Sequence, residues 1–415
     1  MADKKVYASL QISEEEVKMI VGEFFETRFN ILKVHKTPIV YGNGIEKVES
    51  IKKAIIDTKN EVKTSLGFPI QRVLLAIPSS TNIKHGRKVS VPVENGALIS
   101  LAHIQRGLIE ATSHNISEDK VLLNVGRIKY IVNGISGYKM PLNEQCDSLT
   151  MEIDLILGDK TGAFEYVTLV EDCDIKVMDI CLDSYAMAEE IAIFEQTVDK
   201  FVVLVDLNAS YTSLSLFGHG KFVNSERINI GFNRWIDAIA DEFKISKKIA
   251  KKLMFNNGTL SKDNDEERII HEYQKDETDG KYITIRQLNE FLMPLVDSWV
   301  EELNLACEPI VEHGKVRYIL TGDGLEMQGI ENKLYKFNSE ARVYVPQTIG
   351  GRSCDLVATL GMFYAYKTIN EIRNKEELCT DVEYLKELMD VNQKDLEKSA
   401  FTRKFKNMLI NDKSK

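Results

Sequence analysis

No stretch of this 415-residue chain reaches the ~18 consecutive apolar residues that cross a bilayer, and its first residues, MADKKVYASLQI, lack the long apolar core of a secretory signal. The run FVVLV at 201–205 is short enough to be a buried strand. Cysteine is sparse: Cys146, Cys173, Cys181, Cys307, Cys354 and Cys379 form no CxxC pair, which favours reduced, packed thiols in a cytosol over a disulfide framework. The seven histidines show no HExxH or other close ligand spacing, so nothing suggests zinc. Basic excess is missing too. With 53 Lys and Arg against 63 Asp and Glu, the formal charge of −10 argues against a general nucleic-acid binder.

What is present is a 44% hydrophobic, 28% charged chain, ordinary for a globular protein and long enough for two or more domains. Residues 6–12 and 17–25 read as strands, NILKVHKTPIVYG extends the sheet, and Val48, Ile51, Ile55, Val62 and Leu66 mark an amphipathic helix over 46–66 before the buried strand RVLLAIPS. From about 84 the texture changes to short strands (KVSVPV, KYIVNGI, SLTMEIDLIL) around one helix near 101–114, a compact α+β insertion. Helix, strand and helix then return over 162–195. Residues 201–231 repeat the strand-turn-strand-turn-strand order of 6–43, the signature of a duplicated lobe. A charged helical region (233–254), a polar loop (NNGTLSKDNDEE), a long helix (RQLNEFLMPLVDSWVEELNLACEPIV) and a strand, Gly-rich turn and helix (VRYILTGDGLEMQGIENKLYKF) follow. The chain is polar from 367 to 398, and its tail differs again.

Duplicated β-rich lobes describe the actin, Hsp70 and sugar-kinase group. Within it, an ordered set of stretches resembles the bacterial cell-division FtsA family: VYASLQISEEEVKMIVGE, GFPIQRVLLAI, IVNGI, IKVMDICLDSYAMAEE, VVLVDLNASYTSLSLFGHGKF, LTGDGLEMQGI and PQTIGGRSCDLVATLG. The position of the insertion resembles that family rather than actin or MreB. The resemblance implies an α/β, two-lobed actin-like fold (ribonuclease H-like duplicated lobes) with the insertion in the first lobe and a C-terminal amphipathic helix. Its implied divisions are 1–83 and 164–198 for the first lobe, 84–163 for the inserted α+β subdomain, and 199–232 and 298–366 for the second lobe. A smaller subdomain covers 233–297, a polar linker 367–396 and a membrane-targeting tail 397–415.

The family binds ATP and magnesium between its lobes, and this chain departs from it at every contact. Where the first turn of the family reads Asp-Ile-Gly-Thr, this one has Gln11, Ile12, Ser13 and Glu14, followed by Glu15 and Glu16. Carboxylates ~4 Å from a triphosphate in a partly buried site repel it by on the order of several kcal/mol. The second turn, Asp-Ile-Gly-Gly-Gly-Thr in the family, keeps Asp206 and Thr212 but has Asn208, Ala209, Ser210 and Tyr211 where glycines let the backbone approach phosphates. Lys251 and Met254 stand where the family's Glu-x-x-Lys grips the ribose. Gly322 and Gly324 remain around Asp323, and Gly350 and Arg352 keep the terminal turn. The residual cleft is therefore Asp206, Thr212, Gly322, Gly324 and Gly350, with no catalytic or metal residue assigned, no cofactor expected and any ATPase activity weak or absent.

In the tail, Phe401, Phe405, Met408 and Leu409 share one helical face, Arg403, Lys404, Lys406 and Lys413 supply positive charge, and Ser399 is a candidate N-cap. The resemblance implies an adaptor, cytoplasmic and peripheral on the inner face of the cell membrane at the division site. Its partners would be the C-terminal peptide of FtsZ, other copies of itself in a filament, an anionic membrane surface and further division proteins, with no nucleic acid. The peptide would dock on 233–297, where Arg234, Lys247, Lys248, Lys251 and Lys252 suit an acidic segment or simply face solvent. Two alternatives stay open at this stage. One is an active ATPase of the same superfamily with Asp206 organising magnesium, and the other is an actin relative of the pilus-assembly type.

Overall fold

The computed structural model describes residues 5–384, apart from 26–27, 42–46, 80–82, 95–96, 114–115, 198, 262–266 and 275–279. All membrane-binding candidates in the tail, from Phe401 to Leu409, lie outside the described residues.

The first lobe grows from alternation and a tight turn. β1 (Lys5–Ile12) and β2 (Glu16–Phe25) pair antiparallel from Lys5↔Phe24 to Ile12↔Val17, and β3 (Arg28–Pro38) continues on the far side of β2. α1 (Lys47–Leu66) buries Ile51, Ala54, Ile55, Thr58 and Val62 on one face, the i, i+3, i+4 stripe legible in its sequence. It leads to β4 (Arg72–Ile77), parallel to β1.

The insertion comes next, with β5 (Ile83–Pro92), α2 (Leu101–Thr112), β6 (Lys120–Val125), β7 (Lys129–Val132), β8 (Ile135–Gly137) and β9 (Ser148–Asp159). Its sheet order is β5-β9-β7-β8, with β6 also on β9, and it has its own core of Val91, Ile104, Leu149, Met151 and Ile153. α3 (Lys160–Glu171) then returns the chain to β10 (Lys176–Leu182), which completes the sheet β10-β4-β1-β2-β3.

α4 (Asp183–Ile191) and the short α5 (Ile193–Gln196) precede the second lobe. β11 (Phe201–Leu207), β12 (Thr212–Gly218) and β13 (Lys221–Ile228) are followed, after the smaller subdomain, by β16 (Val316–Thr321) and β17 (Glu340–Val343), giving the order β13-β12-β11-β16-β17. Read from its hairpin edge, each sheet has the same topology: two antiparallel pairings and then two parallel ones. The duplication seen in the sequence is therefore a duplication of topology.

The smaller subdomain differs from the single helical region expected over 233–254. α6 (Asn233–Phe243) and α7 (Lys247–Asn257) are separate, because Lys244 takes a left-handed φ of 55° and Ser246 caps the second helix by accepting from the Ile249 N–H. The hairpin of β14 (Ile269–Gln274) and β15 (Gly280–Thr284) follows, then α8 (Ile285–His313), capped by the reciprocal Thr284 and Gln287 box. Trp235 of α6 meets Trp299 of α8 edge-on, 5.8 Å apart, at the centre of this core. Past β16, the expected helix after the Gly-rich turn is instead two 3-10 turns, Asp323–Glu326 and Ile330–Lys336, split at Gly329 with φ 83°.

α9 (Val357–Arg373) runs back to the first lobe against α4. Gly361 permits that crossing, since a Cβ there would lie 1.8 Å from the Ala186 carbonyl oxygen. Of the stretch 367–396 expected as a linker, 367–373 finishes α9 and 374–384 lies on the start of the first sheet. The Cys379 N–H donates to the Val6 carbonyl, and the Cys379 carbonyl accepts from Gln71 and Arg72. Glu376 pairs with Lys5, and Asp381 with Arg72. All six cysteines are buried and free. Among the described residues, no helix is long and apolar enough to cross a membrane.

Candidate functional site

The turn that opens the first lobe closes on itself: Ser13 Oγ accepts from the Glu16 N–H at 3.2 Å and donates to the Glu16 carbonyl at 3.0 Å. The neighbouring acids are thereby thrown across the cleft. Glu14 accepts from the backbone N–H of Ser210 at 2.8 Å and from Ser210 Oγ, in the turn between β11 and β12. Glu15 forms an ion pair with Lys251 of α7. With side chains 32% and 42% exposed, a pair of this kind contributes about 1 kcal/mol or less.

The strongest electrostatic feature lies one strand register deeper. Lys18 of β2 is 1% exposed and pairs with Asp323 of the Gly-rich turn, with Asp355 Oδ2 at 3.4 Å and with Glu16 at 3.7 Å, and it donates to the Asp355 carbonyl at 3.1 Å. Burial opposes its charge, but Asp323, Asp355 and Glu16 outweigh burial and hold its pKa above the usual lysine range. Burial likewise works against Asp355, and Lys18 and Lys36 reverse that effect, keeping its carboxyl below its ordinary value. Glu16 goes the other way, raised by burial in spite of Lys18.

Asp206, at the end of β11, is buried and accepts from Asn208 Nδ2 at 2.7 Å. Burial, with Asp183 next in importance, pushes it up to about 7. Asp183 is itself raised by burial, although it accepts from Ser79 and from the Ser184 N–H. The structure brings Gly322 against Asp206, with a φ of 104° and only 2.4 Å between a notional Cβ and Asp206 Oδ1. Gly324 packs on Leu207 and Phe232. Thr212 does not face the cleft: its hydroxyl donates to the Ile230 carbonyl at 2.6 Å and accepts from Trp299 Nε1 at 3.0 Å, tying the second sheet to α8. Gly350 lies apart, beside Ile31 of β3. Tyr211 is covered by the Arg227 guanidinium, 4.3 Å from its ring, and Arg227 Nε donates to the Ser79 carbonyl of the first lobe.

Because Asp206 has a higher pKa folded than unfolded, folding loses stability as pH rises from about 4 through about 7, and that loss is complete above this window. Asp206→Asn should remove a penalty on the order of a few kcal/mol at pH ~8. It should raise the thermal midpoint there by several degrees and change little near pH ~4. Parallel midpoints for the two proteins across that range would show that Asp206 is not the group responsible.

These donors do not fit a magnesium-bound triphosphate. The Ser210 amide, one that a phosphate would need, already serves a carboxylate, and Lys251 is engaged by Glu15. The sequence placed Ser210 in the second turn but not as a partner of Glu14, and it missed Lys18 and Asp355 as members of the site. Only Lys18 carried a signal, as a lone cation in an otherwise buried strand, EVKMIVGE.

No family model matches the chain. It is 24% identical over 378 residues to the cell division protein FtsA of Bacillus subtilis strain 168, spanning 87% of this chain and 83% of that protein. In fold it is similar to a chain of a PilM-PilN type IV pilus biogenesis complex, at 11% identity and a TM-score of 0.55 over 88% of this chain and 98% of that one. It is also similar to MreB 5 of Spiroplasma citri bound to AMPPNP, at 12% identity and a TM-score of 0.51 over 89% and 98%. Along most of its length the chain is thus similar in sequence to FtsA, and its fold is actin-like.

Proposed function

We infer that the protein is an actin-like cell-division adaptor that tethers FtsZ to the cytoplasmic membrane and recruits other division proteins, with ATP binding weak or lost. The kinship with FtsA over most of the chain carries this reading. The tail adds to it. Phe401, Phe405, Met408 and Leu409 at helical spacing, with Arg403, Lys404 and Lys406 between them, suit an anionic leaflet. The segment 374–384 pins the exit of that tail to the first sheet, so a pull from the membrane would act on the body of the first lobe. Residues 233–297 offer the cations Arg234, Lys247, Lys248 and Lys252 to an acidic peptide. Lys247 and Arg234 already have the partners Asp237 and Glu302, which a peptide must displace.

Fluorescence anisotropy of the FtsZ C-terminal peptide with the full chain tests the reading. Saturable binding that weakens with salt and is lost in Lys247→Glu/Lys248→Glu is expected, and an unchanged anisotropy at high micromolar protein would refute it. The nucleotide-free part rests on the occupied donors of the cleft: Mg-ATP titrated into the full chain should give no saturable heat.

A further inference from the structure

We propose that the first turn is an internal substitute for the nucleotide, with Glu14, Glu15 and Lys18 of the first lobe clasping the second lobe so that the cleft stays shut without any ligand. The inference deepens the nucleotide-free part of the function proposed above. It stands on which elements the clasp reaches. Glu14 takes the amide and hydroxyl of Ser210 in the turn between β11 and β12. Glu15 takes Lys251 of α7, and Lys18 takes Asp323 of the Gly-rich turn. The same three elements of the second lobe are those that the FtsA resemblance assigns to phosphates, ribose and the late turn.

Chemically, the substitution is like for like. A carboxylate is an anionic acceptor, as a phosphate is, and Glu14 meets the N–H and O–H of one serine with its two oxygens. A bound nucleotide would close the lobes only in proportion to its concentration and affinity. A tethered carboxylate is always present at its site, and ordering it costs no translational entropy. The two outer links differ in kind. Glu15 and Lys251 are partly exposed, so salt weakens their attraction, whereas Lys18 is buried and its pairing with Asp323 is screened far less. The Arg227 contact to the Ser79 carbonyl lies beside them and also joins the lobes.

The test is hydrogen exchange on the full chain, read at the peptide containing Ser210, with and without Mg-ATP. Glu14→Ala should speed exchange of the Ser210 amide on the order of tenfold, the scale set by losing one charge-assisted hydrogen bond. Peptides from the core strands β1 and β11 should exchange as before, which separates an open clasp from a misfolded protein. Glu15→Lys and Lys251→Glu should each speed exchange across the cleft, and the double variant should restore protection by reversing the pair. Unchanged exchange in Glu14→Ala, failure of the reversed pair to restore protection, or a further slowing of the wild-type Ser210 amide by Mg-ATP would each overturn the clasp. Mg-ATP that binds by calorimetry yet leaves Ser210 exchange unchanged would support the clasp while sinking the nucleotide-free reading.

Discussion

Lys18→Met should destabilise the protein by about 3 kcal/mol, because it takes from Asp323 and Glu16 the buried cation they share and leaves Asp355 to Lys36. Methionine matches the volume of the lysine stem, so packing is nearly preserved and the loss reports on charge. The pH dependence distinguishes this from a cavity effect. The Lys18 pKa is raised on folding, so its contribution in the wild type is fully present below the unfolded lysine value and declines only as pH rises through the folded one. The variant's deficit should be largest near neutral pH and shrink as the pH falls through the carboxylate range, where the orphaned acids take up protons. Lys18→Arg keeps the charge but not the point geometry, and should fall between the two. Denaturant titrations that place Lys18→Met within about 1 kcal/mol of wild type would mean that the acids find other partners.

Removing residues 385–415 should reduce binding to anionic vesicles to background while leaving the fold intact. The physical case is a balance of modest terms. Four apolar side chains, Phe401, Phe405, Met408 and Leu409, each gain ~1.5–3 kcal/mol in the headgroup boundary, and each nearby cation adds up to ~1 kcal/mol. Forming a helix on the surface offsets much of that. A single tail is left with weak, reversible attachment, and several tails on one assembly bind together through effective concentration. The truncation removes no described contact, because the last described anchors on the first sheet are Cys379 and Asp381. Its melting curve should therefore overlay that of the full chain. Flotation with phosphatidylglycerol-containing liposomes reads the outcome. Truncated protein that floats as well as the full chain would remove the tail from the account. Phe405→Glu in the full chain should weaken flotation in the same direction.

The parts of this molecule that were legible in the sequence are those governed by short-range periodicity. The hairpins of 6–25 and 201–217 show through alternation and tight turns, and α1 through its apolar stripe. The insertion shows through a change in texture, and the paired lobes through repetition of order. The break between α6 and α7 was not legible, because Lys244 takes the left-handed conformation where a glycine would usually announce it.

The cleft was legible only in outline. The glutamates of the first turn were expected to keep phosphate out by repulsion, yet each of the first two meets a specific partner: Ser210 is 196 residues from Glu14, and Lys251 is 236 from Glu15. No local rule connects residues so distant. Thr212 illustrates the converse, where a motif position that matches by order turns inward to serve Trp299, because alternation along β12 fixes its face.

The most direct test of the adaptor account combines its two ends in one measurement: fluorescent FtsZ is mixed with anionic vesicles and the full chain, with no nucleotide for this protein, and vesicle-bound FtsZ is counted. The account predicts that FtsZ coats the vesicles when the full chain is present and stays in solution when residues 385–415 are missing. FtsZ that remains in solution while the full chain itself sits on the vesicles would contradict it.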